Sequence, residues 1–126
     1  MIVRNYLTGN GRNEVCHDGQ GLIYDVELFR KEDFRTPLRF LHYVEIPPGA
    51  SIGMHGHLND EEIYIIVSGE GVMTVNGEVR KVTEGDVILN EPYGRHSLDN
   101  QSSAPLRALL FEVGCCEDAS ARQSQP

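Results

Sequence analysis

Short runs of β-branched and aromatic residues, each ended by turn residues, occupy the middle of this sequence and leave almost no helical periodicity. Runs of this kind are typical of β-strands. Seven candidate strands follow from them, at residues 22–29, 39–46, 62–68, 71–75, 78–82, 86–89 and 106–113. So many short strands at close spacing favour an all-β sandwich or barrel.

Two local patterns orient these strands. Asn76-Gly77 separates the candidate strands at 71–75 and 78–82, and this pair predicts a tight hairpin because both central residues of the turn need positive φ. In residues 39–46 the side chains alternate in character with a period of two. The alternation places His42 on a mostly apolar inner face and Tyr43 and Glu45 on the outer face, where we expect packing against a second copy of the chain.

Length and charge exclude several function classes. The chain has 126 residues, which suits one hydrophobic core, and its 19 acidic against 11 basic residues give a net charge of −8. A field of this sign repels nucleic acids and anionic membranes. No apolar run approaches the roughly 20 residues that span a bilayer, and the first residues lack the pattern of a signal peptide. We therefore expect a cytoplasmic protein that binds neither nucleic acid nor membrane.

The two ends of the sequence differ from its middle. Residues 1–21 are rich in Gly and Asn and predict an N-terminal arm of loops and turns, whereas residues 115–126 lose apolar content and predict a disordered tail. Residues 22–114 form the expected folded unit. The odd number of cysteines, Cys16, Cys115 and Cys116, suits neither a disulfide framework nor a paired zinc site. We expect reduced thiols without a catalytic role.

Residues that commonly bind metals are concentrated at residues 55–62. His55 and His57 are two positions apart, so an extended chain points both imidazoles to the same side. Glu62 follows after a short turn and can return from the next strand, and His96 can supply a third imidazole. Such a set can surround one divalent cation at the usual ligand distances of about 2.0–2.2 Å. His17, in the N-terminal arm, is not expected to be a ligand.

The spacing of these residues resembles the first motif of the cupin superfamily, G-x5-H-x-H-x4-E-x6-G. Every position of that motif is matched, by Gly49, His55, His57, Glu62 and Gly69. Glu61 is an alternative acid at a spacing that the family also allows. Only Glu62 precedes Gly69 by the required interval, and we therefore prefer Glu62.

The second cupin motif, G-x5-P-x-G-x2-H-x3-N, is matched in part. Gly85, His96 and Asn100 stand at its separations, but Pro92-Tyr93-Gly94 comes one residue late. The resemblance extends over about residues 22–113. It implies a double-stranded β-helix, the jelly-roll cupin barrel, with one metal ion bound by His55, His57, Glu62 and His96 at an open end.

The inner face that would carry Glu62 also suggests neighbours of the metal. Strand alternation puts Tyr64, Ile66 and Ser68 on that face as pocket walls. Tyr64 and His42 are candidate catalytic residues, with Glu61 a further nearby acid. Arg95 is expected to face solvent because it adjoins His96 in an extended segment. The imidazole N–H groups need hydrogen-bond partners, for which the candidates are Asn100, Ser51, Ser97 and backbone carbonyls.

Three functions remain open at the level of the sequence. The first is a metal-dependent enzyme, of the oxygenase, decarboxylase, isomerase or lyase type, acting on a small polar or carboxylate metabolite. The second is a module that binds a carboxylate or sugar without turnover, and the third, least favoured, is a purely structural metal. His and carboxylate ligands suit Mn, Fe, Co, Ni, Cu and Zn alike.

The resemblance also implies a homodimer, because jelly rolls leave strand edges exposed and cupins commonly pair through sheet packing or N-terminal strands. We predict that removing residues 1–21 weakens this homodimer. Light scattering of the full chain and the truncated chain across a dilution series measures the effect. An unchanged dimer after truncation would contradict a role for the arm in pairing.

Overall fold

Strands account for nearly all regular structure in residues 1–114, the part of the chain that this computed structural model describes. The strands are β1 (Arg12–Glu14), β2 (Ile23–Arg30), β3 (Leu38–Ile46), β4 (Ser51–Gly56), β5 (Asp60–Ser68), β6 (Glu70–Val75), β7 (Glu78–Thr83), β8 (Val87–Asn90), β9 (Arg95–Asp99) and β10 (Leu106–Gly114), with one 3-10 turn at Lys31–Asp33. No helix in this part of the chain has the length and apolar character needed to cross a membrane. The expected tail, with Cys115 and Cys116, lies outside the described residues.

The strands form two sheets with one hydrophobic core between them. The larger sheet has the order β1-β2-β3-β10-β5-β8 and the smaller one the order β4-β9-β6-β7, and every pairing between these strands is antiparallel. Ile46 and Tyr64 of the larger sheet pack in one buried cluster with Ile52 and Leu98 of the smaller one. This arrangement confirms the all-β jelly-roll prediction.

All seven predicted strands are present, and none of their ends differs from the prediction by more than two residues. Three further strands, β1, β4 and β9, were not predicted. β4 contains Gly53, and β9 comes directly after Pro92-Tyr93-Gly94, so their local sequences give weak strand signals. They are stabilised by pairing with each other, as Ser51 with Asp99 and Ile52 with Leu98.

The predicted hairpin between β6 and β7 is confirmed. Asn76 and Gly77 both have positive φ, 50° and 84°, and Val75 pairs with Glu78 directly beside the turn. Tyr93 also has positive φ, 65°, at the position where the second motif expects glycine. A bulky side chain is strained in this conformation, so the one-residue shift of Pro92-Tyr93-Gly94 leaves the turn shape in place and changes the residue that carries it.

The N-terminal segment covers the outer face of the larger sheet. Tyr6 stacks on Tyr43 with ring centroids 4.3 Å apart, and Arg4 forms an ion pair with Asp33 at 2.7 Å. Tyr43 lies on the outer face as predicted, but it is only 1% exposed because its own chain covers it. The sequence led us to expect Tyr43 to pack against a second copy of the chain. In the structure it packs against its own N-terminal segment instead.

Candidate metal centre

Strand pairing brings the two histidine-bearing segments of the sequence together. His55 on β4 and His96 on β9 are direct cross-strand partners, and a shift in register between Ile52 and His55 marks a bulge just before the first histidine. His57 follows one residue after β4. Glu62 lies on β5 of the opposite sheet and is buried. One strand from the larger sheet and two segments from the smaller one thus converge on a single point.

The converging atoms lie close to one another. His96 Nε2 is 3.0 Å and His57 Nε2 is 3.1 Å from Glu62 Oε1, and His55 Nε2 is 3.8 Å from the same oxygen. The Nε2 atoms of His57 and His96 are 3.4 Å apart. A ligand atom from each of these four residues lies within 4.8 Å of the other three.

These separations fit the donor set of one metal ion. Four donors placed tetrahedrally at about 2.1 Å from a common centre are separated by about 3.4 Å, and the observed distances of 3.0 to 3.8 Å span that value. Three imidazoles and one carboxylate are suitable ligands for a divalent transition metal. The group His55, His57, Glu62 and His96 could therefore hold one ion.

The orientation of His55 is fixed on both sides. Its Nδ1–H donates to the backbone carbonyl of Gly53 at 2.8 Å, which leaves Nε2 free to face the cluster. His17 stacks on the His55 ring with centroids 3.6 Å apart and an interplanar angle of 10°. His17 is not among the four residues that could hold an ion, and its packing against one of them was not predicted.

His57 has a pair of carboxylates behind it. Its Nδ1 is 3.2 Å from Asp60 Oδ2 and 3.1 Å from Glu112 Oε1. A carboxylate on the far nitrogen of a metal-binding imidazole holds the ring in place and increases its basicity. Sequence reasoning missed both acids, although Glu112 is a charged residue in an otherwise apolar alternation on β10, which was a usable signal.

The hydrogen-bond partners proposed from the sequence for the imidazole N–H groups mostly bond to other groups. Asn100 donates to the carbonyls of Ile46 and Ala104, each at 2.8 Å, and the Ser51 hydroxyl accepts from the backbone of Gln20 at 2.8 Å. Ser97 is buried beside His96 in sequence, but no hydrogen bond joins it to a histidine in residues 1–114. Among the described residues, the one proposed kind of partner that bonds to an imidazole is a backbone carbonyl, that of Gly53, which accepts from His55.

Burial and proton sharing set the charges within the cluster. Burial disfavours the ionised form of Glu62, but hydrogen bonds from His55, His57 and His96 outweigh it and hold the pKa of Glu62 well below its usual range. The hydrogen bond to Glu62 also raises the pKa of His57 to about 9. Burial instead lowers the pKa of His96. Without a metal, the cluster thus retains a proton on one imidazole that faces an ionised carboxylate.

The carboxylates behind His57 share a second proton. Burial and the hydrogen bond that protonated Glu112 donates to the neighbouring Asp60 raise the pKa of Glu112 to about 8. The pKa of Asp60 is lowered because its hydrogen bonds to Glu112 and His57 outweigh its burial. Two adjacent negative charges repel each other, so one of the two carboxyl groups keeps its proton. At neutral pH this pair therefore carries close to one negative charge.

Tyr64 and Cys16 line the buried side of the cluster as protonated groups. Tyr64 contacts the His96 ring with centroids 5.3 Å apart, and burial raises the pKa of its phenol well above the usual value. Burial also raises the pKa of Cys16 to about 12. Tyr64 is thus a wall that can donate a hydrogen bond, and Cys16 remains a thiol.

His42 lies apart from the ligand group. Its Nδ1 is 2.7 Å from Asp25 Oδ1, and the hydrogen bond to Asp25 raises the pKa of His42 even though burial lowers it. His42 borders a polar cavity of about 400 Å³ that is also lined by Arg12, Glu14, Glu27 and Arg30. Its register partner Leu110 pairs in turn with Tyr64, so two strand spacings, about 10 Å, separate His42 from that wall.

The remaining candidates face away from the cluster. Glu61 is adjacent to Glu62 in β5, so the alternation of side chains turns it to the opposite face of the sheet. Arg95 is exposed, as expected for the neighbour of an inward-facing His96. The acid that the structure brings to the three imidazoles is Glu62.

A family comparison agrees with this arrangement. The model of the Cupin domain family matches residues 42–112, which is more than half of the chain. The chain belongs to the cupin family. The matched segment contains all four residues of the possible metal site.

Individual relatives support this membership of the cupin family. The chain is 32% identical over 113 residues to an "Oxalate-binding protein" of Thermotoga maritima, a match that covers 90% of this chain and 93% of the relative. A crystal structure from the same organism, described as a predicted oxalate decarboxylase, superposes with a TM-score of 0.86 at 30% identity and covers 90% of this chain and 99% of that one. The cupin domain of Schizosaccharomyces pombe Cnp3, at 14% identity and a TM-score of 0.78, covers 99% of this chain and 82% of that chain and shares the fold.

We predict that Glu62→Gln, His57→Ala and His96→Ala each lower zinc affinity by more than the roughly 100-fold that the loss of an outer partner costs. Each change removes one donor of the cluster. Glu61→Gln is the matched control, because it makes the same chemical change one residue away on the other face. Competition titration with a chelating dye and elemental analysis measure binding. Equal zinc affinities for the Glu61 and Glu62 variants would contradict the assignment.

The metal-free cupin should lose stability as the pH rises from about 6.5 to 9. The folded-state pKa of His57, about 9, exceeds the unfolded value of 6.5, so protonated His57 stabilises the fold fully below pH 6.5, and this contribution is lost as the pH rises through about 9. Urea denaturation of chelator-treated protein at several pH values tests this. His57→Gln should flatten the decline. An identical decline in that variant would assign the effect to other groups, such as Glu112.

Proposed function

We propose that this cupin is a metal-dependent enzyme that acts on a small carboxylate. The observation that carries the proposal is the convergence of His55, His57, Glu62 and His96 on one point, with donor distances suited to one ion. The metal is one divalent transition ion, Mn, Fe, Ni, Cu or Zn, among which this donor set does not discriminate. Such an ion supplies Lewis acidity, which polarises the oxygens of a bound carboxylate.

The charge of the site favours an anionic ligand. Three neutral imidazoles and one ionised Glu62 around a divalent ion leave about one positive charge in a largely buried place, where Coulomb interactions are strong. A small carboxylate would neutralise that charge. The names of two Thermotoga maritima relatives, one an oxalate-binding protein and one a predicted oxalate decarboxylase, support the same class of ligand.

In this proposal two residues beyond the ligands contribute to the reaction. The Nδ1–H of His42 donates a hydrogen bond to Asp25. Its Nε2 then serves to accept a proton from the substrate and to return it. Tyr64 keeps its proton because burial raises its pKa, and it therefore acts as a hydrogen-bond donor and as the apolar floor. His42 and Tyr64 lie on the same inner face of the larger sheet, two strand spacings apart.

A second candidate is a cupin that binds a carboxylate without converting it. Two observations favour it: the Thermotoga maritima relative is named for binding, and the wall next to the imidazoles consists of protonated Tyr64 above the apolar Ile66 and Leu98. Within residues 1–114, this wall of Tyr64, Ile66 and Leu98 offers no free base. The role of His42 distinguishes the two candidates.

The test is turnover by manganese-, iron- or zinc-loaded protein with oxalate and a panel of 2-hydroxy and 2-keto acids. Products are identified by chromatography after quenching, and calorimetry measures binding in parallel. For any acid that is converted, we predict that His42→Asn lowers kcat by about 100-fold or more, as expected for loss of a proton carrier, with binding unchanged.

The matched control for this test is Tyr24→Phe, on the opposite face of the strand that carries Asp25. It should leave kcat unchanged. Binding of an acid without conversion by any loaded form would favour the binding candidate, and equal kcat in wild type and His42→Asn would exclude His42 as proton carrier. The cytoplasmic location and the homodimer stay predictions from the sequence.

A further inference from the structure

Asn90 is a buried amide without hydrogen-bond partners. It is the last residue of β8 and only 1% exposed. Neither its Nδ2 nor its Oδ1 has a hydrogen-bond partner within residues 1–114. Burying both ends of an amide without partners destabilises a fold, so such a group calls for an explanation outside folding itself.

Asn100 shows what a structural asparagine looks like in the same protein. It is equally buried, but its Nδ2 donates to the carbonyls of Ile46 and Ala104. Its Oδ1 accepts from the backbone N–H and the hydroxyl of Ser102 at 2.9 and 2.7 Å. Asn100 closes a loop, whereas nothing in the described fold requires the amide of Asn90.

Asn90 lies next to the metal ligands. It pairs with Glu62 across β5 and β8, and Ile88, two residues earlier, pairs with Tyr64. Alternation puts Ile88 and Asn90 on the same inner face as Glu62 and Tyr64. Glu62 Oε1 is already shared among three imidazoles, and a carboxylate has no hydrogen to offer to Asn90 Oδ1. No described residue therefore completes this amide, which points to a molecule bound beside Glu62 as its partner.

The amide limits what that molecule can be. Nδ2 needs an acceptor, and Oδ1 needs a donor. An oxalate dianion offers only acceptors, so it would leave Oδ1 without a partner. A 2-hydroxycarboxylate offers a carboxylate oxygen to Nδ2 and a hydroxyl hydrogen to Oδ1, and its single negative charge matches the positive charge of the loaded site.

We propose that Asn90 positions the ligand of this site and selects a small 2-hydroxycarboxylate. Its Nδ2 donates to the carboxylate, and its Oδ1 accepts from the hydroxyl. The inference rests on the proposed function, since it concerns the molecule bound beside the metal. Asn90 itself is not a metal ligand in this proposal.

The experiment compares manganese-loaded wild type with Asn90→Leu and Asn90→Asp. Leu removes both hydrogen-bonding atoms at similar size, and Asp keeps the acceptor but removes the donor. Calorimetry with glycolate and with oxalate gives affinities, elemental analysis gives manganese content, and thermal melting of the metal-free protein gives stability. Asn100→Leu serves as the control for loss of a structural amide.

We expect Asn90→Leu to keep one manganese per chain and to bind glycolate about tenfold more weakly, as the loss of a buried hydrogen-bonded contact implies. Oxalate affinity should fall much less. Asn90→Asp should bind glycolate more weakly as well. The melting temperature of Asn90→Leu should be unchanged or higher, because an unpaired buried amide is removed, whereas Asn100→Leu should lower it.

Three outcomes would overturn the inference while the proposed function stands. Glycolate affinity could be equal in wild type and Asn90→Leu, or both acids could weaken equally. The variant could also lose manganese as His57→Ala does, which would make Asn90 part of the metal-binding group. Failure of loaded wild type to bind any acid of the panel would overturn the proposed function and this inference together.

Discussion

A buried carboxylate among three imidazoles is the interaction on which the site depends. Glu62 is about 4% exposed, and an ionised carboxylate at that depth is tolerated only where charged or hydrogen-bonding partners surround it. His55, His57 and His96 supply those partners, and Asp60 and Glu112 fix His57 from behind. Because every partner comes from a different strand or strand end, the cluster ties both sheets together at one end of the core.

Strand pairing in the rest of the architecture places these groups next to one another. Pairing of β4 with β9 sets His55 opposite His96, and pairing of β5 with β8 sets Asn90 beside Glu62. The core below is apolar and closed by Tyr64 and Leu98. The polar cavity with His42 and the unpaired amide of Asn90 lie outside that apolar packing. The unpaired amide of Asn90, which disfavours folding, thus lies directly beside Glu62 of the possible metal site, as such features do in many functional sites.

Much of the fold could be predicted from the sequence, and so could the four residues of the possible metal site, but not the residues that surround them. The Asn76-Gly77 turn and the period of two in β3 and β5 are local signals, and both were read correctly. β4 and β9 were missed because Gly53 and the Pro92-Tyr93-Gly94 turn weaken their local strand signal, and their stability comes from each other. The positions of Asp60, Glu112 and Asn90 beside the possible metal site were missed, because they depend on which strands become neighbours, and sequence spacing carries no information on that.

The sequence by itself determined the strand class, the hairpin and the four residues that could bind a metal, because alternation and motif spacing are properties of a single stretch of chain. The tertiary structure decided what surrounds them. It put Tyr6 over Tyr43, His17 against His55, and a shared proton between Asp60 and Glu112. Each of these depends on which strands become neighbours across many residues of sequence. Burial then gives the resulting contacts their strength, because it removes the competing water.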